Sequence, residues 1–233
     1  MLICAATGNA GKLKELRRIL EAQGHEVKSQ KELGITLDPE ETGTTFEENA
    51  AIKARAICQA SGLPTVADDS GLSVDALDGA PGVYSARYCG HHGDDEANND
   101  KLLEAMADVP EGSRAAHFTS AVCLMLPSGQ QITFMGECPG RVGFERHGTN
   151  GFGYDPLFIP DFVGNADGTR NPNTEGLTYA QIEDWQKDAI SHRGAALRVM
   201  QSQLPDFLAD AGVGVGFEQD EKEDGERLVR HQR

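Results

Sequence analysis

The chain has no basic excess: 21 lysines and arginines stand against 37 aspartates and glutamates, a formal net charge of −16 over 233 residues. A surface that tracks nucleic-acid backbones needs the opposite balance, so a nucleic-acid partner is not expected. A small anion remains compatible, because a local cluster of lysine, arginine and backbone N–H groups binds phosphate inside an acidic protein. No Cys-x-x-Cys pair occurs among the five cysteines, Cys4, Cys58, Cys89, Cys123 and Cys138. Their odd number and scatter argue against a disulfide framework or zinc site and for reduced thiols in the cytoplasm. No apolar run approaches the ~20 residues of a membrane span. The opening MLICAATGNAGK has no basic stretch before its few apolar residues, so it reads as a first strand, not a signal peptide. A Walker A loop is missing too: in TGNAGK the glycines are three apart and Leu13 follows the lysine. Internal repeats are absent. What is present is a globular composition, 39% hydrophobic and 25% charged, in a chain long enough to bury a real core.

The first third alternates strand and helix. LICAA reads as a buried strand, TGNAG as a turn, and residues 11–23 as a helix with Leu13, Leu16, Ile19 and Leu20 on one face, ended by Gly24. HEVKSQ is a second strand. A helix over 46–61 follows, with Thr45 and Glu48 as a capping box and Gly62 past its end. PTVA then leads into ADDSGL as a third strand. This β-α-β-α-β opening implies an α/β core with parallel strands. LSVDAL, AHFTSAVCLML and QQITFMGECPG read as strands of a second lobe, and residues 95–107 as a helix. FVGNADGTRNPNTEG reads as an exposed loop. The last helix starts near Ser191 and is broken or kinked at Pro205. Residues 1–212 form one two-lobed catalytic domain in this reading, and 213–233 a charged tail too poor in apolar residues to order.

Several stretches carry candidate chemistry. In TGNAGK, a strand, glycine turn and helix start present free N–H groups to an anion, with Lys12 alongside. Asn49 and Lys53 share a helix face. Glu40-Glu41 and the aspartates of ADDSGL offer oxygen ligands for a hard cation such as magnesium. Asp68 and Asp69 should point to opposite faces if the strand runs through them, although DDSG in isolation reads as a turn. In GFGYDP, Phe152 offers a flat ring to a base and Asp155 an acceptor. In SHRG, Ser191 as N-cap places His192 and Arg193 in a first helical turn, where basic residues oppose the macrodipole; local rules of this kind are broken mostly at functional sites.

T-x-N-x-x-K, T-F-x-E-N-A-x-x-K-A, A-D-D-S-G-L, P-G-V-Y-S-A-R-Y, G-F-G-Y-D-P-x-F and A-I-S-H-R-G-x-A-L occur in this order between residues 1 and about 204. Together they closely resemble the inosine triphosphate pyrophosphatase family, the dITP/XTP pyrophosphatases that clear deaminated purine nucleotides. The resemblance implies an α/β fold with a long twisted mixed sheet flanked by helices, two lobes, a deep central cleft and a homodimer. It implies Mg²⁺ as cofactor and a purine nucleoside triphosphate as substrate. The turn Thr7, Gly8, Asn9, Ala10, Gly11 and Lys12, with Lys53, would hold the triphosphate. Asp69 would be the catalytic acid–base residue and, with a carboxylate of Glu40-Glu41, would hold the metal. Ser70 would touch the nucleotide; Phe152, Gly153, Tyr154, Asp155, Lys187, His192 and Arg193 would enclose sugar and base. The chain departs from the family in a longer 160–177 segment and in its acidic tail.

Overall fold

The computed structural model describes residues 1–213; the expected charged tail lies outside the described residues, apart from its first position. Period-2 burial on both faces drives the central sheet. In β1 (Leu2–Ala5), Ile3 and Ala5 pack on one side and Cys4 and Ala6 on the other. β2 (Glu26–Ser29) and β3 (Thr65–Val74) flank β1 in parallel, as the βαβ reading requires. β4 (Ala115–Met125), β5 (Gln131–Val142) and β6 (Phe158–Pro160) then add antiparallel, in the order β2-β1-β3-β4-β5-β6. The strands assigned by sequence to a second lobe therefore continue one six-stranded mixed sheet. α1 (Ala10–Ala22) and α5 (His192–Asp210) cover the face bearing Val66 and Val122, while α2 (Phe46–Ser61) covers the face bearing Ala67 and Ala121. A third cluster packs α3 (Asp95–Ala105) through Leu102 against Leu72, Phe118 and Phe158.

Four expectations need correction. The Asp-Asp-Ser-Gly run makes no turn and LSVDAL starts no separate strand: β3 runs ten residues through both aspartates into LSV, every one of them paired with β4. Ladder pairing on a buried strand outweighs the turn propensity of Asp, Ser and Gly. The segment expected as a loop contains a hairpin, β7 (Phe162–Gly164) with β8 (Arg170–Pro172), held by Arg170 over the Phe162 ring at 4.5 Å. It packs against a helix absent from the sequence reading, α4 (Asp184–Ile190), where Gly164 has no room for a Cβ beside Ala189. Finally, α5 continues through Pro205 to Asp210, since Leu204 and Leu208 on either side are both buried in the core.

Candidate active site

Strand alternation sorts the acid pair. Asp68 and Ser70 share the face of Val66, toward α1 and α5; Asp69 shares the face of Ala67, toward α2. On the first face Asp68, fully buried, meets Lys12 Nζ at 2.9 Å and Arg193 at 3.0 Å, and accepts from the hydroxyls of Ser70 and Ser120. Burial pushes its carboxyl upward, but Arg193 and Lys12 overwhelm that and hold it well below the ordinary range. Asp68 is thus a fixed anion that places two cations. On the second face Lys53 Nζ lies 3.8 Å from Asp69 Oδ1 and 3.1 Å from Glu41 Oε1, and donates to the Asp68 carbonyl at 2.7 Å. Asp69 is buried, and its Oδ2 has no hydrogen-bond partner among the described residues. Burial raises the Asp69 carboxyl; Lys53 and Lys12 pull it down, and Glu41 and Asp68 add to the rise.

The loop before α2 supplies Glu41. Asn49, buried on the first turn of α2, accepts from Gly43 N at 2.8 Å, and the Glu48 carboxylate accepts from Thr44 N. The expected capping box is therefore half formed: Thr45 accepts from Glu48 N, but Glu48 reaches Thr44 rather than closing back on Thr45. These bonds tie the loop down so that Glu41 faces Lys53, whereas Glu40 is exposed and has no ion-pair partner among the described residues. Only Glu41 of that pair joins the site. Two carboxylates, one with an oxygen unpartnered among the described residues, suit a hard divalent cation that keeps several waters; the described residues contain no group of three or more His, Cys, Asp or Glu placed to hold a metal by themselves.

On the Asp68 face of β3, TGNAGK forms the turn its pattern predicts. Asn9 caps α1, accepting from Lys12 N at 2.9 Å, and Thr7 Oγ1 accepts from Asn9 N, while Gly8 and Ala10 lie exposed beside them. Gly11 is required to be glycine because the Phe152 ring lies where a Cβ would stand. That ring also sits 4.8 Å from Lys187 Nζ. The pocket is lined by Asn9, Lys12, Ser70, Phe152 and Lys187, among others, and Gly153, Tyr154, Asp155, His192 and Arg193 also face it. Tyr154 holds the neighbouring segment, its hydroxyl donating to Ser85 O at 2.7 Å. Behind the ring runs a chain of buried charges missed in the sequence: Asp155 to Lys187 at 2.6 Å, Lys187 to Glu15 at 2.6 Å, and Glu15 to Arg193, which closes on Asp68. Burial alone raises the Glu15 carboxyl, but Lys187 and Arg193 reverse this and hold it to about 2. Burial raises the Asp155 carboxyl against the pull of Lys187. His192, stacked on Phe118 at 4.7 Å, is pushed well below its ordinary value by burial and by Arg193, and is neutral. Arg193 is fully buried, and its guanidinium is engaged by Asp68, Glu15 and Ser70.

In this α/β fold one pocket brings Lys12 at the start of α1 together with the Phe152 ring and the buried Asp155–Lys187 pair, a lining that suits a phosphorylated ligand bearing a flat ring. The particular lineage is equally plain: the chain belongs to the Ham1 family, matched over residues 3–203. It is 48% identical over 204 residues to a dITP/XTP pyrophosphatase of Haemophilus influenzae, covering 87% of this chain and 98% of that one. A dITP/XTP pyrophosphatase of Exiguobacterium sibiricum is 45% identical over 210 residues, covering 90% and 100%. Among solved structures, the Ham1 protein of Staphylococcus aureus aligns with a TM-score of 0.72 at 37% identity, covering 88% of this chain and 99% of its own. A nucleoside-triphosphatase/dITP/XTP pyrophosphatase of Mycobacterium abscessus aligns with a TM-score of 0.64 at 43% identity, covering 86% and 98%.

Proposed function

We propose that the protein hydrolyses non-standard purine nucleoside triphosphates, ITP, dITP and XTP, to the monophosphate and pyrophosphate, removing deaminated purines from the nucleotide pool. The observation that carries this reading is the buried Asp69, its Oδ2 unpartnered among the described residues, beside Lys53 and within reach of the charge of Lys12, which itself lines the pocket that holds Phe152 and the Asp155–Lys187 pair. Lys12, Lys53 and the N–H groups at the start of α1 bind the triphosphate, and Phe152 meets the base. Asp69 Oδ2 takes a proton from a water whose oxygen bonds to the α-phosphorus. The bond from that phosphorus to its bridging oxygen breaks, and pyrophosphate leaves with the electron pair. Glu41 and Asp69 would hold Mg²⁺, which supplies positive charge against the phosphate oxygens. His192, neutral, and the Lys187–Asp155 pair present donors to a carbonyl at purine position 6; an amino group there would meet donors and leave buried groups unpaired. The homodimer and the cytoplasmic setting belong to the same proposal. Incubation with ITP and Mg²⁺ should release pyrophosphate and IMP, and Asp69→Asn should cut kcat by roughly 10²–10⁴ with the fold intact. Orthophosphate as product, or near-normal turnover in the variant, would refute the assignment.

A further inference from the structure

Arg87 lies outside every role assigned above, yet the fold delivers it to the phosphate end. The segment Gly82–Arg87 forms a 3-10 turn fastened directly to the catalytic strand two residues past Ser70: Ser85 Oγ accepts from Leu72 N at 2.9 Å and donates to Gly82 O at 2.6 Å. Gly71, between them, has no room for a Cβ against Gly82 O and Ser85. Tyr154 clamps the same turn from the pocket side through Ser85 O. Arg87, the last residue of this rigid turn, is braced over the Tyr84 ring at 5.1 Å and reaches Glu41, with Nη1 3.7 Å from Oε2. Glu41 thus has Lys53 at one oxygen and Arg87 at the other.

The cations of this end differ in how firmly they are held. Lys12 is paired to Asp68 at 2.9 Å, and Lys53 is bonded to Glu41 and to the Asp68 carbonyl. Arg87 has one ion pair, to Glu41 at 3.7 Å, besides the Tyr84 ring among the described residues, and its side chain is 32% exposed where those of Lys12 and Lys53 are 15% exposed. The Arg87 guanidinium is thus more open to solvent than either lysine. A guanidinium is also the group best shaped to hold phosphate oxygens through two parallel N–H bonds.

We propose that Arg87 is a phosphate-binding residue for the distal phosphates of the substrate and for the pyrophosphate product, a role that rests on the pyrophosphatase reading above. Glu41 stores the guanidinium in the absence of ligand. With the Glu41 and Asp69 carboxylates committed to a divalent cation, Arg87 loses its counter-ion and turns to the departing pyrophosphate.

The test is calorimetric binding of pyrophosphate and, separately, of IMP, each in the presence of Mg²⁺, to wild type, Arg87→Ala and Arg87→Lys. Removing one charge-assisted contact should weaken pyrophosphate binding about tenfold or more in Arg87→Ala. IMP affinity should stay within about twofold by the same reasoning, since the monophosphate lacks the distal phosphates. Arg87→Lys, which keeps the charge and loses the fork, should fall between. Melting temperatures measured alongside separate a binding defect from a folding one. Unchanged pyrophosphate affinity in Arg87→Ala, or equal losses for pyrophosphate and IMP, overturns the Arg87 assignment while pyrophosphate remains the product of ITP. Orthophosphate release by the wild type would instead sink the parent reading.

Discussion

Replacing Glu15 by glutamine should destabilise the protein by about 3 kcal/mol at neutral pH. Glu15 is 5% exposed and bridges Lys187 and Arg193, each of which has one further carboxylate, Asp155 and Asp68. Holding its carboxyl at about 2 from an ordinary 4.5 corresponds to that free energy, at about 1.4 kcal/mol for each tenfold change in proton affinity. Glutamine reproduces the protonated shape, so the substitution removes the charge with little change of volume. For a chain of this size the melting temperature should drop by roughly 6–12 °C. The sign in pH follows from the direction of the shift. A carboxyl whose folded value is depressed contributes fully above about pH 4.5, and the contribution fades as pH falls toward 2. The gap between wild type and Glu15→Gln should therefore be constant from pH 6 to 8 and close progressively below about pH 4.5. Urea unfolding followed by circular dichroism across this range measures it. The exposed Lys14–Asp184 pair, with side chains 71% and 43% exposed, is the control: Lys14→Ala should cost less than about 1 kcal/mol. A loss below about 1 kcal/mol for Glu15→Gln, or a gap as large at pH 3 as at pH 7, would refute the view that this carboxylate is ionised and paired in the fold.

Two further outcomes follow from the site. Lys12→Ala should weaken binding of a triphosphate far more than binding of IMP, because the lysine stands at the turn where the phosphates lie; equal losses in a competition assay would contradict that placement. Gly11→Ala should push the Phe152 ring off α1 and raise KM for ITP several-fold with a smaller change in kcat, and an unchanged KM would show that the ring's seat does not matter to nucleotide binding.

The opening of the chain was legible because each signal there is local. Leu16 and Leu20 mark the buried face of α1, and Gly62, at φ 68°, ends α2 where a left-handed residue is needed. What stayed hidden depends on partners distant in sequence. The Asp-Asp-Ser-Gly run has turn composition, and only pairing with β4 some fifty residues later makes it strand. The hairpin after Phe162 and the helix carrying Lys187 stabilise each other, and neither has a strong pattern alone. Glu15 looks like one more solvated acid on an amphipathic helix, although its place three residues after Lys12 and next to Leu16 puts it toward the core. Glu40 and Glu41 are indistinguishable as adjacent acids until Asn49 fixes the loop and turns one of them inward. The pairing of Arg193 with Asp68 of β3 and Glu15 of α1 likewise joins residues far apart in sequence.

The central claim is attack of an activated water on the α-phosphorus with pyrophosphate as leaving group. Turnover of ITP with Mg²⁺ in ¹⁸O-enriched water, with the products resolved by mass spectrometry, tests it most directly. The account predicts one ¹⁸O in the phosphate of IMP and none in pyrophosphate, with the labelling rate collapsing in Asp69→Asn. Label in pyrophosphate, or labelled orthophosphate with IDP, would place the attack on another phosphorus and contradict the site as described.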